Sequence, residues 1–292
     1  MITPAITIAA LLLLAPYLGS AFLARYLEDA AKPFPTAARL LSPALLCVPY
    51  LLVAYSSGTL RWGWLALYAL LPVAVSILLW QARRADPGQL GTWRDFLVLA
   101  VLGLAVDLRW FEPAWPEHFA VFDKILLLDV GIYGFLVLRQ LDGVGFDLRL
   151  HWRDVGIGLR ECALYSPIAI ALGLGLGFLH WHTHLSAPLL QFPGAFVLTF
   201  FFVALPEELF FRGWLQNLLE RRLGKHKALL LTAAIFGLSH FNKRAVHFNW
   251  RYVLLAALAG IFYGRAWRQE RRLGASAITH AAVDTIWSFW LR

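Results

Sequence analysis

Pro206-Glu207-Glu208-Leu209-Phe210-Phe211-Arg212 sets two adjacent carboxylates and an arginine inside one of the most apolar parts of the chain. Phe196-Val-Leu-Thr-Phe-Phe-Phe-Val-Ala-Leu205 precedes it and Gly213-Trp-Leu-Gln-Asn-Leu-Leu219 follows. An ionisable group at membrane depth costs roughly 2.5–3.5 kcal/mol even on insertion scales, so its first reading is functional. The apolar run around it is long enough to span a bilayer, and runs of that kind recur along the sequence.

Composition supports the same class. Hydrophobic residues make up 60% of the 292 and charged residues 15%, against about 25% charged in an ordinary soluble domain. Mean hydropathy is +0.63. Thirteen Trp and nine Tyr suit aromatic belts at both interfaces. The expectation is an all-α protein: a polytopic transmembrane helical bundle of about 8–10 membrane helices.

The net charge of +8 invites a nucleic-acid reading. Its basic residues, however, fall in short connections between apolar runs: Arg83-Arg84, Arg221-Arg222-Leu-Gly-Lys225 and Arg268-Gln-Glu-Arg271-Arg272. That is positive-inside patterning, and lipid headgroups rather than nucleic acid are the expected partner. Lys243-Arg244 and Arg251 complicate a simple alternation of loops across the bilayer. Cys47 and Cys162 lie far apart in apolar segments and read as buried free thiols. The first apolar run has no basic residue before it, and so reads as a spanning helix rather than a cleavable signal.

Taken in order, spans are expected at 4–24, 40–55 and 62–81, all without internal charges and read as scaffold. A short or tilted segment at 95–106 follows. The next, 119–138, carries Asp123 and Lys124 at one end and Asp129 deeper, where a satisfied polar contact between helices is expected. The polar stretch 139–161 reads as an interfacial, partly amphipathic segment. A span at 162–180 contains Gly173, Gly175 and Gly177, small residues that permit close helix approach. His180-Trp-His182-Thr-His184 comes without a carboxylate or Cys and reads as a wet interfacial loop rather than a metal site. A long helix over 193–222 should kink at Pro206, and helices over 226–240, 250–265 and 275–290 complete the chain. The organisation expected is one continuous membrane domain, with scaffold helices and the interfacial segment over 1–160 and the chemistry over 161–292.

Three pairs at i,i+4 spacing share a helix face in the last third: Glu208/Arg212, Phe236/His240 and His280/Asp284. Glu207 and Glu208 are rotated by about 100° about the helix axis. Glu208 can therefore pair with Arg212 one turn on, while Glu207 points elsewhere without a local cation, as a general base would. Two histidines in apolar helices, together with the carboxylate pair, point to one shared site.

The set E-E-x-x-x-R, F-x-x-x-H and H-x-x-x-(N/D), in this order within an apolar C-terminal region, resembles the CPBP or Abi family. This is the family of CAAX prenyl protease 2 and bacteriocin-processing enzymes, glutamate-type intramembrane proteases. Here the motifs read Glu207-Glu208-Leu-Phe-Phe-Arg212, Phe236-Gly-Leu-Ser-His240 and His280-Ala-Ala-Val-Asp284, and Phe211-Arg212-Gly213-Trp214-Leu215-Gln216 is similar to the FRG-x-L-Q continuation. The resemblance covers about 192–290. It implies peptide hydrolysis near the membrane without a metal or other cofactor. On that pattern Glu207 and His240 activate water, and His280 and Asp284 support the oxyanion. Glu208 and Arg212 hold the site together, and Phe236 and Phe211 meet the substrate. Asp stands where the motif's other version has Asn. An ionised Asp cannot donate to an oxyanion, so Asp284 is expected to accept from His280 and fix its tautomer and charge, or else to be itself protonated. The substrate implied is a membrane protein, or a lipidated or leader-bearing peptide; a bacterial inner membrane fits the compact loops. Two alternatives stand beside this: a zinc protease using His240, His280 and a glutamate, and a non-catalytic immunity or transporter-like membrane protein.

Overall fold

A computed structural model describes residues 3–117, 119–181, 189–243 and 247–291. It is all-helical among the described residues, without strands. Among the described residues, five helices are long and apolar enough to cross a membrane: Pro4–Leu23, Thr36–Ser56, Trp62–Ala85, Trp152–Gly175 and Phe192–Leu223. The larger number expected from sequence counted segments that are shorter or more charged, such as Trp93–Asp107 and Trp250–Glu270. The chain is an integral, multi-pass membrane protein. His182, His184 and Arg244 lie outside the described residues.

The chain divides into two compact units, Met1–Asp142 and Gly143–Arg292. In the first, α1 (Pro4–Ala31) starts at Thr3, whose side chain accepts from the Ile6 N–H, and leaves helical geometry locally at Leu23 (φ −125°). α2 (Thr36–Ser56) passes through a 3₁₀ stretch at Ser42–Cys47. α3 (Trp62–Ala85) and α4 (Trp93–Asp107) follow, α4 opened by a reciprocal Thr92/Asp95 capping box. α5 (Ala120–Ile132) continues into a π-helical turn at Tyr133–Leu138.

Arg139, just past that turn, is wholly buried and gathers the ends of α3 and α4. Its Nε donates to Asp95 at 2.7 Å, its Nη2 to Asp86 at 2.6 Å and its Nη1 to the Asp86 carbonyl at 3.2 Å. Asp129 departs from expectation. It is buried, yet neither carboxyl oxygen has a hydrogen-bond partner among the described residues.

In the second unit, Gly143 to His151 is non-helical and leads into α6 (Trp152–Gly175). Gly145 (φ +75°) fits only as glycine, since a Cβ would sit 2.0 Å from the Arg271 carbonyl oxygen; its own carbonyl accepts from the Leu273 N–H. α6 starts ten residues earlier than the sequence suggests. Its charges look like a loop but are neutralised by arginines distant in the chain: Asp154 by Arg272 at 3.0 Å, Glu161 by Arg265 at 3.2 Å. Gly173 makes no close helix approach; it admits the side chain of Leu179 from the turn that follows, Gly175 faces open space and Gly177 (φ +63°) makes the turn. Both cysteines are free thiols.

α7 (Phe192–Leu223) does not kink sharply at Pro206. The winding loosens to π-helix on both sides, at Phe200–Ala204 and Leu209–Gln216, with right-handed helical φ/ψ at Ala204, Leu205 and Glu208. Wider turns absorb a proline that cannot donate, and π segments of this kind recur at functional sites. α8 (Lys225–Leu238), α9 (Trp250–Glu270) and α10 (Leu273–Trp290) complete the unit. α8 and α9 cross tightly: a Cβ on Gly260 would lie 3.1 Å from Ala233, and one on Gly237 2.6 Å from Ala257.

Candidate active site

α7 contributes Glu207, Glu208 and Arg212. Glu208 and Arg212 are fully buried, with Arg212 Nη1 donating to Glu208 Oε1 at 3.0 Å and Nη2 to the Gly260 carbonyl on α9 at 3.0 Å. Two further contacts repeat this pattern at successive turns of both helices. Gln216 Nε2 reaches the Gly264 carbonyl at 3.5 Å, and Glu220 meets Arg268 Nε at 3.2 Å. α7 and α9 therefore run in the same direction here, joined by three polar rungs of which Arg212–Gly260 is the first. The guanidinium also lies 4.7 Å over the Phe236 ring and 5.4 Å over Tyr263, so its charge is faced by aromatic surface.

α10 contributes His280, and here the two carboxylates converge. Glu208 Oε1 lies 2.9 Å from Nδ1, while Glu207 Oε2 lies 3.9 Å from Nε2. The two nitrogens point apart around the ring, which reconciles the helical rotation between Glu207 and Glu208 with a common partner. A carboxylate only accepts, so Nδ1 carries the hydrogen. Asp284 faces the other edge, 3.5 Å from Nε2. The hydrogen bond that sets the His280 tautomer thus runs to Glu208, where the sequence pointed to Asp284. Tyr263 stacks on the ring at 4.5 Å with planes 16° apart.

His240 ends α8. Its Nδ1 donates to the Phe236 carbonyl at 2.8 Å, and the Ser239 hydroxyl donates to the same carbonyl, also at 2.8 Å. The neutral ring then carries its lone pair on Nε2, free to take a proton. Phe236 is fully buried between the two imidazoles, 4.9 Å from His240 and 5.7 Å from His280, and Phe211 packs edge-on to it at 4.9 Å.

Glu207 is the partly open member, 27% exposed, with Lys243 Nζ 3.8 Å away. Its Oε2, the Glu208 Oε2 and the Arg212 Nε are buried without hydrogen-bond partners among the described residues. A cavity of about 70 Å³ adjoins His240, His280 and Asp284, walled by Phe236, Tyr252 and Trp287 among others. It is large enough to admit water. Among the described residues, no three His, Cys, Asp or Glu side chains form a set able to hold a metal ion.

The structure brings all eight sequence-derived candidates into one cluster of side chains. It adds Tyr263, Gly260 and Lys243. The Gly260-Ile-Phe-Tyr-Gly264 spacing is a readable small-xxx-small signal for close helix packing, and it would have led to the first two. Lys243 lies beyond the end of α8, where no periodicity marks it.

No curated protein and no solved structure matches the chain. The family model described as Rce1-like, type II CAAX prenyl endopeptidase Rce1-like, matches residues 189–286, and over that stretch the chain is similar to that family.

Proposed function

We propose that this protein is a glutamate-type intramembrane endopeptidase that hydrolyses a peptide bond close to the membrane surface. The observation that carries the reading is the division of labour between adjacent carboxylates. Glu208 is fully buried and engaged by Arg212 and His280 at 3.0 and 2.9 Å, whereas Glu207 is partly exposed and its neighbours Lys243 and His280 stand off at 3.8 and 3.9 Å.

In the proposed reaction a water attacks the scissile carbonyl carbon while Glu207, aided by the free Nε2 of His240, takes its proton. The tetrahedral oxyanion forms beside His280. To donate there, Nε2 must also carry a hydrogen, and Asp284 and Glu207 are the carboxylates facing it. The C–N bond then breaks, the proton passes to the leaving amine, and the products are a carboxylate and an amine. An oxyanion donor in such a site contributes about 2.7–4 kcal/mol. Glu208 and Arg212 act as positioning residues.

The substrate class that fits is a lipidated or leader-bearing peptide attached to the membrane, and the location a bacterial inner membrane. The test is comparative mass spectrometry of membrane proteins from cells carrying wild type or Glu207→Gln. A cleavage present only with wild type is expected. A Glu207→Gln protein that inserts, folds and retains full biological activity would sink the hydrolytic reading in favour of a non-catalytic role. For the zinc alternative, activity abolished by a chelator and restored by zinc would overturn the glutamate mechanism.

A further inference from the structure

A second polar feature lies past the end of α7, among residues that the proposed chemistry does not use. A cleft of about 340 Å³ is lined by Lys225, Arg265, Arg268, Gln269 and Arg271. Its charges are not balanced. Glu220 serves both Arg268 at 3.2 Å and Arg271 at 2.6 Å, and Glu161 serves both Arg265 at 3.2 Å and Arg160 at 2.8 Å. Lys225 has no carboxylate partner among the described residues. Two carboxylates thus face the four cations that line the cleft, and one of the two is shared with Arg160.

The cations are also accessible, with the Arg265 and Arg271 side chains 45% and 40% exposed. Arg271 is the left-handed cap of α9 (φ +53°), with its guanidinium 4.4 Å from the Trp267 ring centroid. Gly224 (φ +77°) turns the chain directly after the candidate span Phe192–Leu223, and Lys225 opens α8. The cleft therefore lies just past the end of a candidate span, on the side where lipid headgroups would meet it. Guanidinium forks match phosphate oxygens bidentately and an ammonium adds a compact charge. Basic pockets between helices in such a position hold lipid headgroups.

We propose that this cleft binds the phosphate of an anionic phospholipid headgroup. The probes are phosphatidylglycerol, phosphatidylcholine and inorganic phosphate, each added to the full chain in detergent and followed by native mass spectrometry and by melting temperature. Wild type is expected to retain phosphatidylglycerol over phosphatidylcholine. Lys225→Gln should weaken that binding about five-fold, and Lys225→Glu about twenty-five-fold, as one charge is lost or reversed. The lipid-free melting temperature should not move, because Lys225 is exposed and unpaired. Equal retention of both lipids by wild type, or an undiminished preference in Lys225→Glu, overturns the site. Stabilisation by inorganic phosphate with no lipid retained overturns the lipid source and leaves a soluble phosphate as the ligand.

Discussion

Among the described residues two arginines are completely buried beside carboxylates, and they are finished differently. Arg139, in the first unit, uses Nε, Nη1 and Nη2, and its acceptors are the Asp95 carboxylate and the carboxylate and carbonyl of Asp86. Arg212, in the second, leaves Nε without a partner, and the two glutamates near it each leave an oxygen unpartnered. A saturated buried network is a brace. An unsaturated one keeps a cost of about 1–3 kcal/mol for each orphaned group, which makes sense where another species is meant to enter. On the proposed function, the contrast sets a structural clasp against the candidate site.

The largest effect that tests this contrast is on turnover. Glu207→Gln should lower peptide cleavage by about 10²–10⁴-fold, the usual contribution of a positioned base, while the detergent-solubilised protein melts as wild type does. A comparable loss of melting temperature would instead make Glu207 part of the brace. Next come the arginines themselves. Arg139→Leu and Arg212→Leu should each cost about 3–5 kcal/mol, because each strands buried carboxylates. Cleavage per folded molecule should survive the first and be lost with the second, as read by assays normalised to folded protein.

A smaller effect is expected at the rung beyond Arg212. A Cβ on Gly264 would lie 2.4 Å from Leu229 and 2.5 Å from Gln216 Oε1. Gly264→Ala should therefore cost about 1–3 kcal/mol by overpacking, measured as a drop in melting temperature. The smallest is a pH effect on the clasp. Burial works against ionised Asp86, but the backbone N–H groups of Leu90 and Gly91 and the Arg139 guanidinium outweigh it and hold its carboxyl below the usual range. A depressed folded-state pKa gives stability that is present above about pH 3.9 and lost as pH falls through the folded value. Wild type should lose stability over that acid window, and Asp86→Asn should flatten the loss in a pH series of melting temperatures.

Much of the site was legible in the chain because helical periodicity is local. Spacing of four residues put Glu208 with Arg212, Phe236 beside His240 and His280 beside Asp284. Long-range partners carried no such signal. The start of α6 was hidden because Asp154 and Glu161 look like loop charges until Arg272 and Arg265 arrive from more than a hundred residues away. Asp129 was expected to make a satisfied polar contact between helices and makes no hydrogen bond among the described residues, since periodicity reports a face and not what packs on it.

The sequence alone determined an all-helical membrane protein and the segregation of two neighbouring carboxylates by rotation about one helix. Hydropathy and a 3.6-residue period are properties of single segments, so no tertiary information was needed. Only the tertiary structure decided that both carboxylates of Glu207-Glu208 meet opposite nitrogens of His280, and that Glu208 sets its tautomer. Which ring nitrogen faces which oxygen depends on how α10 packs against α7, and no spacing along either helix encodes that.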